Sequence, residues 1–202
     1  MRFFQVLLKE SFILDDTMIC WKCKEAIQSP VCVGCGAIQP PPPKPDYFSI
    51  FNLKRSFFIS DIGAQYRKLS RMLHPDRFVK KSAVERRMSL LWTAAINEAK
   101  RCLENPISRA RYLATGSAQV KEDRRITLSP QFLEMIFDMQ MEAMGDPQSV
   151  QAKAEKLYSE EYAGLEQTFQ DWEQSKKSEL LESVEIILAR MKYLQNLSQL
   201  KK

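Results

Sequence analysis

The feature that most constrains this chain is a basic, amphipathic stretch that runs into the corner His74-Pro75-Asp76. Pro75 fixes its own φ at about −65° and disfavours the α conformation at His74, so a helix arriving from upstream has to stop there. Upstream, Ile62, Tyr66, Leu69 and Leu73 recur at helical spacing, with Ser60 as the expected N-cap and Asp61 in the first turn. Downstream, Val84, Met88, Leu91, Ala95, Ala99 and Cys102 mark the expected inner face of a longer helix. The pattern predicts an antiparallel helix pair whose tip holds the only histidine of the chain, together with Asp76, on a short loop.

A second constraint precedes this pair. Cys20-Trp21-Lys22-Cys23 and Cys32-Val33-Gly34-Cys35 are spaced C-x2-C-x8-C-x2-C. Each pair suits a tight knuckle that offers two thiolates to one ion, and Gly36 relieves crowding just after the second. Four thiolates in tetrahedral array favour Zn²⁺ in a closed structural site. A segment this short buries almost no core, so metal would have to hold its fold. Two disulfides, mononuclear iron or a flexible thiol-rich tail are the competing readings. The fifth cysteine, Cys102, falls on the inner face of a helix and reads as core.

Pro40-Pro41-Pro42-Pro43-Lys44-Pro45 marks a boundary, because such a run favours extended polyproline II and acts as a spacer. Residues 115–202 read as helical throughout. Ser129 and Pro130 stand as N-cap and first residue of an apolar helix carrying Phe132, Leu133, Ile136, Phe137, Met141 and Met144, which ends at Gly145-Asp146-Pro147. The next helix carries Val150, Ala154, Leu157, Leu165, Phe169 and Trp172. The last carries Leu180, Val184, Ile187, Met191 and Leu194. Three stripes with short connections predict an antiparallel three-helix bundle. The first of these helices has a surplus: Leu133, Phe137 and Met141 form a second apolar line beside Phe132, Ile136 and Met139.

Composition sharpens the partition. Apolar residues make up 45% of the chain, and ten prolines against six glycines argue against an all-β fold rich in tight turns. Residues 46–114 hold 14 basic and 6 acidic residues, whereas residues 115–202 hold 11 basic and 15 acidic, so the two parts suit different partners. No apolar run reaches the roughly 18 residues of a membrane span. Residues 1–17 have neither a small-residue cleavage site nor the Arg-rich, acid-poor character of a transit peptide, and are treated as an extension.

The order of these features resembles a J-domain, the module that stimulates ATP hydrolysis by DnaK-type chaperones. Asp46-Tyr47-Phe48 opens a short first helix, a basic helix leads into the tripeptide, and a third helix follows. Ile96-Asn97-Glu98-Ala99, Leu103, Pro106 and Arg109-Ala110-Arg111-Tyr112-Leu113 then look like the HscB branch, the J-proteins of iron–sulfur cluster assembly. The resemblance covers residues 46–200. It implies a mainly α chain: a four-cysteine metal module at 18–39, the proline linker at 40–45, a helical-hairpin J-domain at 46–114 and a three-helix bundle at 115–202. It implies a DnaK/HscA-type chaperone partner met by His74, Pro75 and Asp76, with Arg67, Lys68 and Arg71 as the docking face; as residue types alone, those three cations also read as a solvated face. It implies an IscU-type scaffold partner met by Leu133, Phe137, Asp138 and Met141, with Tyr193 nearby; the same residues also suit core or homodimer contacts. Glu134 and Met141 depart from the bacterial pattern, which commonly has an apolar residue and an acid there. A chaperone partner implies a reducing compartment, bacterial cytoplasm or mitochondrial matrix, where disulfides are disfavoured.

The expected function is that of a non-enzymatic co-chaperone acting by population shift on its ATPase partner. A general J-protein is the first alternative, and a zinc-ribbon nucleic-acid-binding protein the second. The aromatics lie on core stripes and do not interleave with the basic residues, so no nucleic-acid partner and no membrane partner is expected. No P-loop, dinucleotide fingerprint or nucleophile motif points to an enzyme.

Overall fold

The computed structural model describes residues 18–118 and 126–199, so the expected extension at residues 1–17 lies outside the described residues. The chain is mainly helical, with seven α-helices and one two-stranded ribbon among the described residues. By packing, the chain up to Asn105 forms one compact unit and the chain from Pro106 another.

In the first unit, β1 (Met18–Ile19) and β2 (Ala26–Ile27) pair antiparallel, Met18 with Ile27 and Ile19 with Ala26. Helix α1 (Tyr47–Ile50) starts where the Asp46 side chain accepts the Ser49 N–H at 3.0 Å, as an N-cap should. Helix α2 (Gly63–Leu73) starts differently from expectation. Ser60 does not cap it; Ile62, buried to 2%, is the N-cap residue, and Asp61 accepts the Gly63 N–H at 2.8 Å from outside the helix. Burial of Ile62, not a hydroxyl, decides where this helix begins. Its end is as Pro75 dictates, with His74 extended at φ −59°, ψ 134°. The loop beyond is itself ordered as one 3-10 turn, Pro75–Phe78, which plugs the buried Phe78 ring beneath it.

Helix α3 (Ala83–Glu104) corrects the expected register. Val84 and Leu91 are exposed, Met88 and Ala95 half-buried, and the inner stripe is Glu85, Ser89, Trp92, Ile96, Ala99 and Leu103, with Cys102 buried beside it. Counting apolar residues missed this because two buried positions, Glu85 and Ser89, are polar. Ser89 Oγ donates to the last carbonyl of α2, Leu73 O, at 2.6 Å, and Glu85 completes a capping box with Ser82. Helices α1, α2 and the 3-10 turn all pack on this face. Phe48, Phe51, Phe57, Leu69 and Leu73 fill the core, all at 2% exposure or less.

Glu85 carries a pH signature. Burial pushes its carboxyl up, but the Ser82 hydroxyl and N–H, which donate to Oε2 at 2.9 and 3.2 Å, together with the Lys22 and Lys81 charges, hold it below its ordinary 4.5. A lowered value in the folded state means that its stabilisation is complete above the ordinary carboxylate range and is lost as pH falls through the lowered value. Glu85→Gln is therefore expected to flatten the acid side of a stability profile, read as urea midpoints between about pH 6 and about pH 3.

In the second unit, α4 (Pro106–Thr115) packs along α7 (Ser178–Ser198), so by packing it sides with the C-terminal helices. Helix α5 (Pro130–Glu142) begins as its sequence requires, Ser129 Oγ accepting the Phe132 N–H at 3.2 Å and Pro130 at the first position. Helix α6 (Pro147–Ser175) runs 29 residues, capped by Asp146, and ends on Lys176 in the left-handed region at φ 56°. Helices α5, α6 and α7 pack pairwise around Phe132, Ile136, Met139, Val150, Ala154, Leu194 and Leu197. On α7 the buried residues include Leu188 and Leu197, while Ile187 is only half-buried; the stripe continues one turn beyond the expected one.

Candidate docking faces and metal centre

The tip of the α2–α3 pair is built by three local rules. Proline ends the helix, the 3-10 turn folds the chain under it, and the His74 ring closes over the turn as Nδ1 accepts the Asp76 N–H at 3.3 Å. The same nitrogen lies 3.5 Å from Asp76 Oδ2. Both side chains are open, 55% for His74 and 86% for Asp76. Arg67, Lys68 and Arg71 are all exposed on α2. Arg77 Nη1 reaches back to the Arg71 carbonyl at 3.4 Å, which places a cation at the C-terminal end of the helix dipole.

The four cysteines converge. Their sulfurs all lie within 4.8 Å of one another, with Cys20–Cys35 at 3.7 Å and Cys23–Cys32 at 3.5 Å, and none is in a disulfide. Metal–thiolate bonds of about 2.3 Å in a tetrahedron require sulfur–sulfur edges of about 3.8 Å, so the four can bind one metal ion. The two knuckles are the same turn built twice. Cys20 N–H donates to Glu25 O and Lys24 N–H to Cys20 O; Cys32 N–H donates to Ala37 O and Gly36 N–H to Cys32 O. Both turns need a positive φ at the fifth residue, 65° at Lys24 and 69° at Gly36. Glycine adopts that conformation without penalty, and lysine does so under strain.

Without a cation, the thiols compete for protons. Burial pushes Cys20 up, but N–H groups of Cys23 and Lys22 and the neighbouring thiols bring it down to about 6. At Cys23 the Glu25 amide pulls down, while burial and the Cys32, Cys35 and Cys20 sulfurs push it up to about 12. A bound cation resolves that conflict by stabilising all four thiolates together.

Two residues that the sequence reading overlooked fasten this module. Gln39, 2% exposed, donates from Nε2 to Cys20 Sγ at 3.4 Å and to Ala37 O at 2.9 Å, and accepts the Trp21 N–H at 3.1 Å. Its carbonyl accepts the Trp92 indole N–H of α3 at 2.7 Å. The proline run therefore starts from a point already fixed to α3 and does not hold the module at a distance. The available signal was Trp92 itself, since a buried indole N–H needs an acceptor.

On α5, the structure separates two lines. Phe132, Ile136 and Met139 are buried, whereas Leu133, Phe137 and Met141 are 44%, 61% and 53% exposed. Asp138 is exposed, and with Glu134 and Glu142 it lines an open groove between α5 and α6. Glu142 is held by Lys153 at 2.6 and 2.9 Å. Tyr193 on α7 is 42% exposed and sits edge-to-face on Phe132 at 6.3 Å, beside the same helix. No described helix is long and apolar enough to cross a membrane.

Comparison with known proteins agrees with this architecture. The DnaJ-domain family model matches residues 46–112. The mouse iron-sulfur cluster co-chaperone protein HscB is 29% identical over 194 residues, which is 89% of this chain and 80% of that protein. The crystal structure of human co-chaperone protein HscB superposes with a TM-score of 0.72 at 25% identity, covering 90% of this chain and 95% of that one. The Photobacterium profundum co-chaperone protein HscB homolog is 31% identical over 144 residues, which is 64% of this chain and 84% of its own length. With a DnaJ domain at the tripeptide and that extent of shared sequence, the chain belongs to the HscB family of J-domain co-chaperones.

Proposed function

We infer that this protein stimulates the ATPase of a DnaK/HscA-type chaperone and delivers an IscU-type iron–sulfur scaffold protein to it, without catalysing a reaction itself. The observation that carries this is the tip: two open side chains, His74 and Asp76, held in fixed relation by Pro75 and a one-turn 3-10 helix, beside the cations Arg67, Lys68 and Arg71. A rigid, exposed pair of opposite hydrogen-bonding character suits selection of one conformation of a partner, and the cations suit an acidic surface. The outward line on α5 supports a second binding face. Leu133, Phe137 and Met141, flanked by Asp138 and with Tyr193 at the rim, form an apolar strip with no other use in the fold. Cys20, Cys23, Cys32 and Cys35 would hold one Zn²⁺, whose preference for four thiolates in a closed tetrahedron suits a structural role.

The test is steady-state ATP hydrolysis by a DnaK-type chaperone with this protein added, in the presence and absence of the IscU-type scaffold. Stimulation that rises further with scaffold is the expected result. Stimulation indifferent to scaffold would make this a general J-protein, and none at all would overturn the reading. For the α5 face, the double variant Leu133→Ala/Phe137→Ala is expected to weaken scaffold binding about a hundredfold, with two anchors lost at about tenfold each. Helix content and unfolding midpoint should stay put, because both side chains face out.

A further inference from the structure

The second cysteine knuckle and the turn after Asp76 share a cleft. It is open, about 200 Å³, with Val31 and Val33 on one wall, Met72 and Phe78 on the other, and Arg77 and Lys81 at the rim. That is smaller than the usual small-molecule pocket, which starts at about 300 Å³, so it suits side chains of a partner better than a cofactor. Val33 is 64% exposed at the lip, and no fold requirement explains an apolar side chain there. Arg77 directly follows Asp76 in the chain, and its guanidinium donates to the Arg71 carbonyl at 3.4 Å. Met72, Arg77 and Phe78, which line the cleft, flank His74 and Asp76 in the chain.

We propose that the metal module is part of the chaperone-docking surface: the cleft takes an acidic segment of the DnaK-type chaperone that carries one apolar side chain. The apolar walls fit the side chain and Arg77 and Lys81 fit the acidic flanks. The Trp92 to Gln39 bond keeps the module in register with α3, so the two walls belong to one surface. The proposal rests on the docking reading above and gives the metal a second consequence, since the Val31–Val33 wall exists only while the knuckle is folded.

The experiment is a titration of the intact co-chaperone into the DnaK-type chaperone, reading the half-maximal concentration and the plateau of ATPase stimulation separately. Val33→Asp and Lys81→Glu are each expected to raise the half-maximal concentration about tenfold while the plateau is retained. Lys80→Glu makes the same charge change on an exposed neighbour that does not line the cleft, and is expected to stay within about threefold of wild type. His74→Gln is the reference for the underlying reading. If Val33→Asp and Lys81→Glu both titrate like wild type while His74→Gln loses its plateau, the cleft is not a docking element and the tripeptide reading stands. If Lys80→Glu is as harmful as Lys81→Glu, only net charge matters and the cleft proposal falls. If His74→Gln behaves as wild type, both fall. Metal content measured on Val33→Asp shows whether its knuckle is intact; should it have lost metal, Lys81→Glu alone decides.

Discussion

His74→Gln is expected to bring stimulation of the partner ATPase down to its basal rate, with the co-chaperone's own unfolding midpoint changed by no more than about 1 °C. Glutamine keeps approximate size and polarity, and the His74 ring contributes little to the core, because its side chain is 55% exposed. Surface changes of this kind cost within about ±0.5 kcal/mol. What glutamine lacks is a planar ring with two nitrogens in fixed relation. In wild type one nitrogen is committed to the Asp76 N–H, which leaves the other pointing out as a single defined group. The amide brings a third torsion and loses that commitment, so any interaction made by differential binding to one state of the partner loses its geometric reference. Stimulated ATPase and thermal unfolding on the same preparations check both halves of the expectation.

Metal removal is expected to act in the opposite way, with a large structural effect and a smaller effect at the tip. The core of residues 18–39 is small, Cys20, Ile27, Cys32 and Ala37 with Met18, Cys23 and Cys35 packed against them. Such a core is far too small to offset the ordering of 22 residues, at about 1–2 kcal/mol of backbone entropy each. A bound metal ion would add its binding free energy to the folding of this segment. A strong chelator should therefore remove amide exchange protection throughout 18–39, and with it the burial of the Trp92 indole. Helices α4 to α7, which belong to the other compact unit, should keep theirs. Hydrogen exchange read segment by segment, with and without chelator, distinguishes this from global unfolding. Retained protection in 18–39 would show that the module stands without metal.

The features legible in the sequence were those with a local cause. Pro75 had to end α2, and Ser129 and Pro130 had to open α5; each rests on the chemistry of one or two neighbouring residues. The surplus on α5 was also readable, because two apolar lines on one helix cannot both face one core. What was not legible depended on partners distant in the chain. The register of α3 turned on Ser89 finding the Leu73 carbonyl 16 residues back, so a polar residue took a position that periodicity assigns to an apolar one. The role of Gln39 was invisible for the same reason: its carbonyl is significant only once an indole 53 residues later is known to meet it. The cleft needed both walls.

That long-range bond also bears on how the molecule is made. The cysteine module precedes α3 in the chain, and the acceptor it offers has no donor until the chain has grown 53 residues further. At about 5–20 residues per second, that interval lasts roughly 3–10 s. During it all four cysteines have been made, and the indole that fastens Gln39 to α3 has not. Closing a loop of that length costs roughly 3–4 kcal/mol of chain entropy, which a preformed module meets more readily than a floppy one. The direction of translation thus completes the four-cysteine cluster before the helix that fastens it.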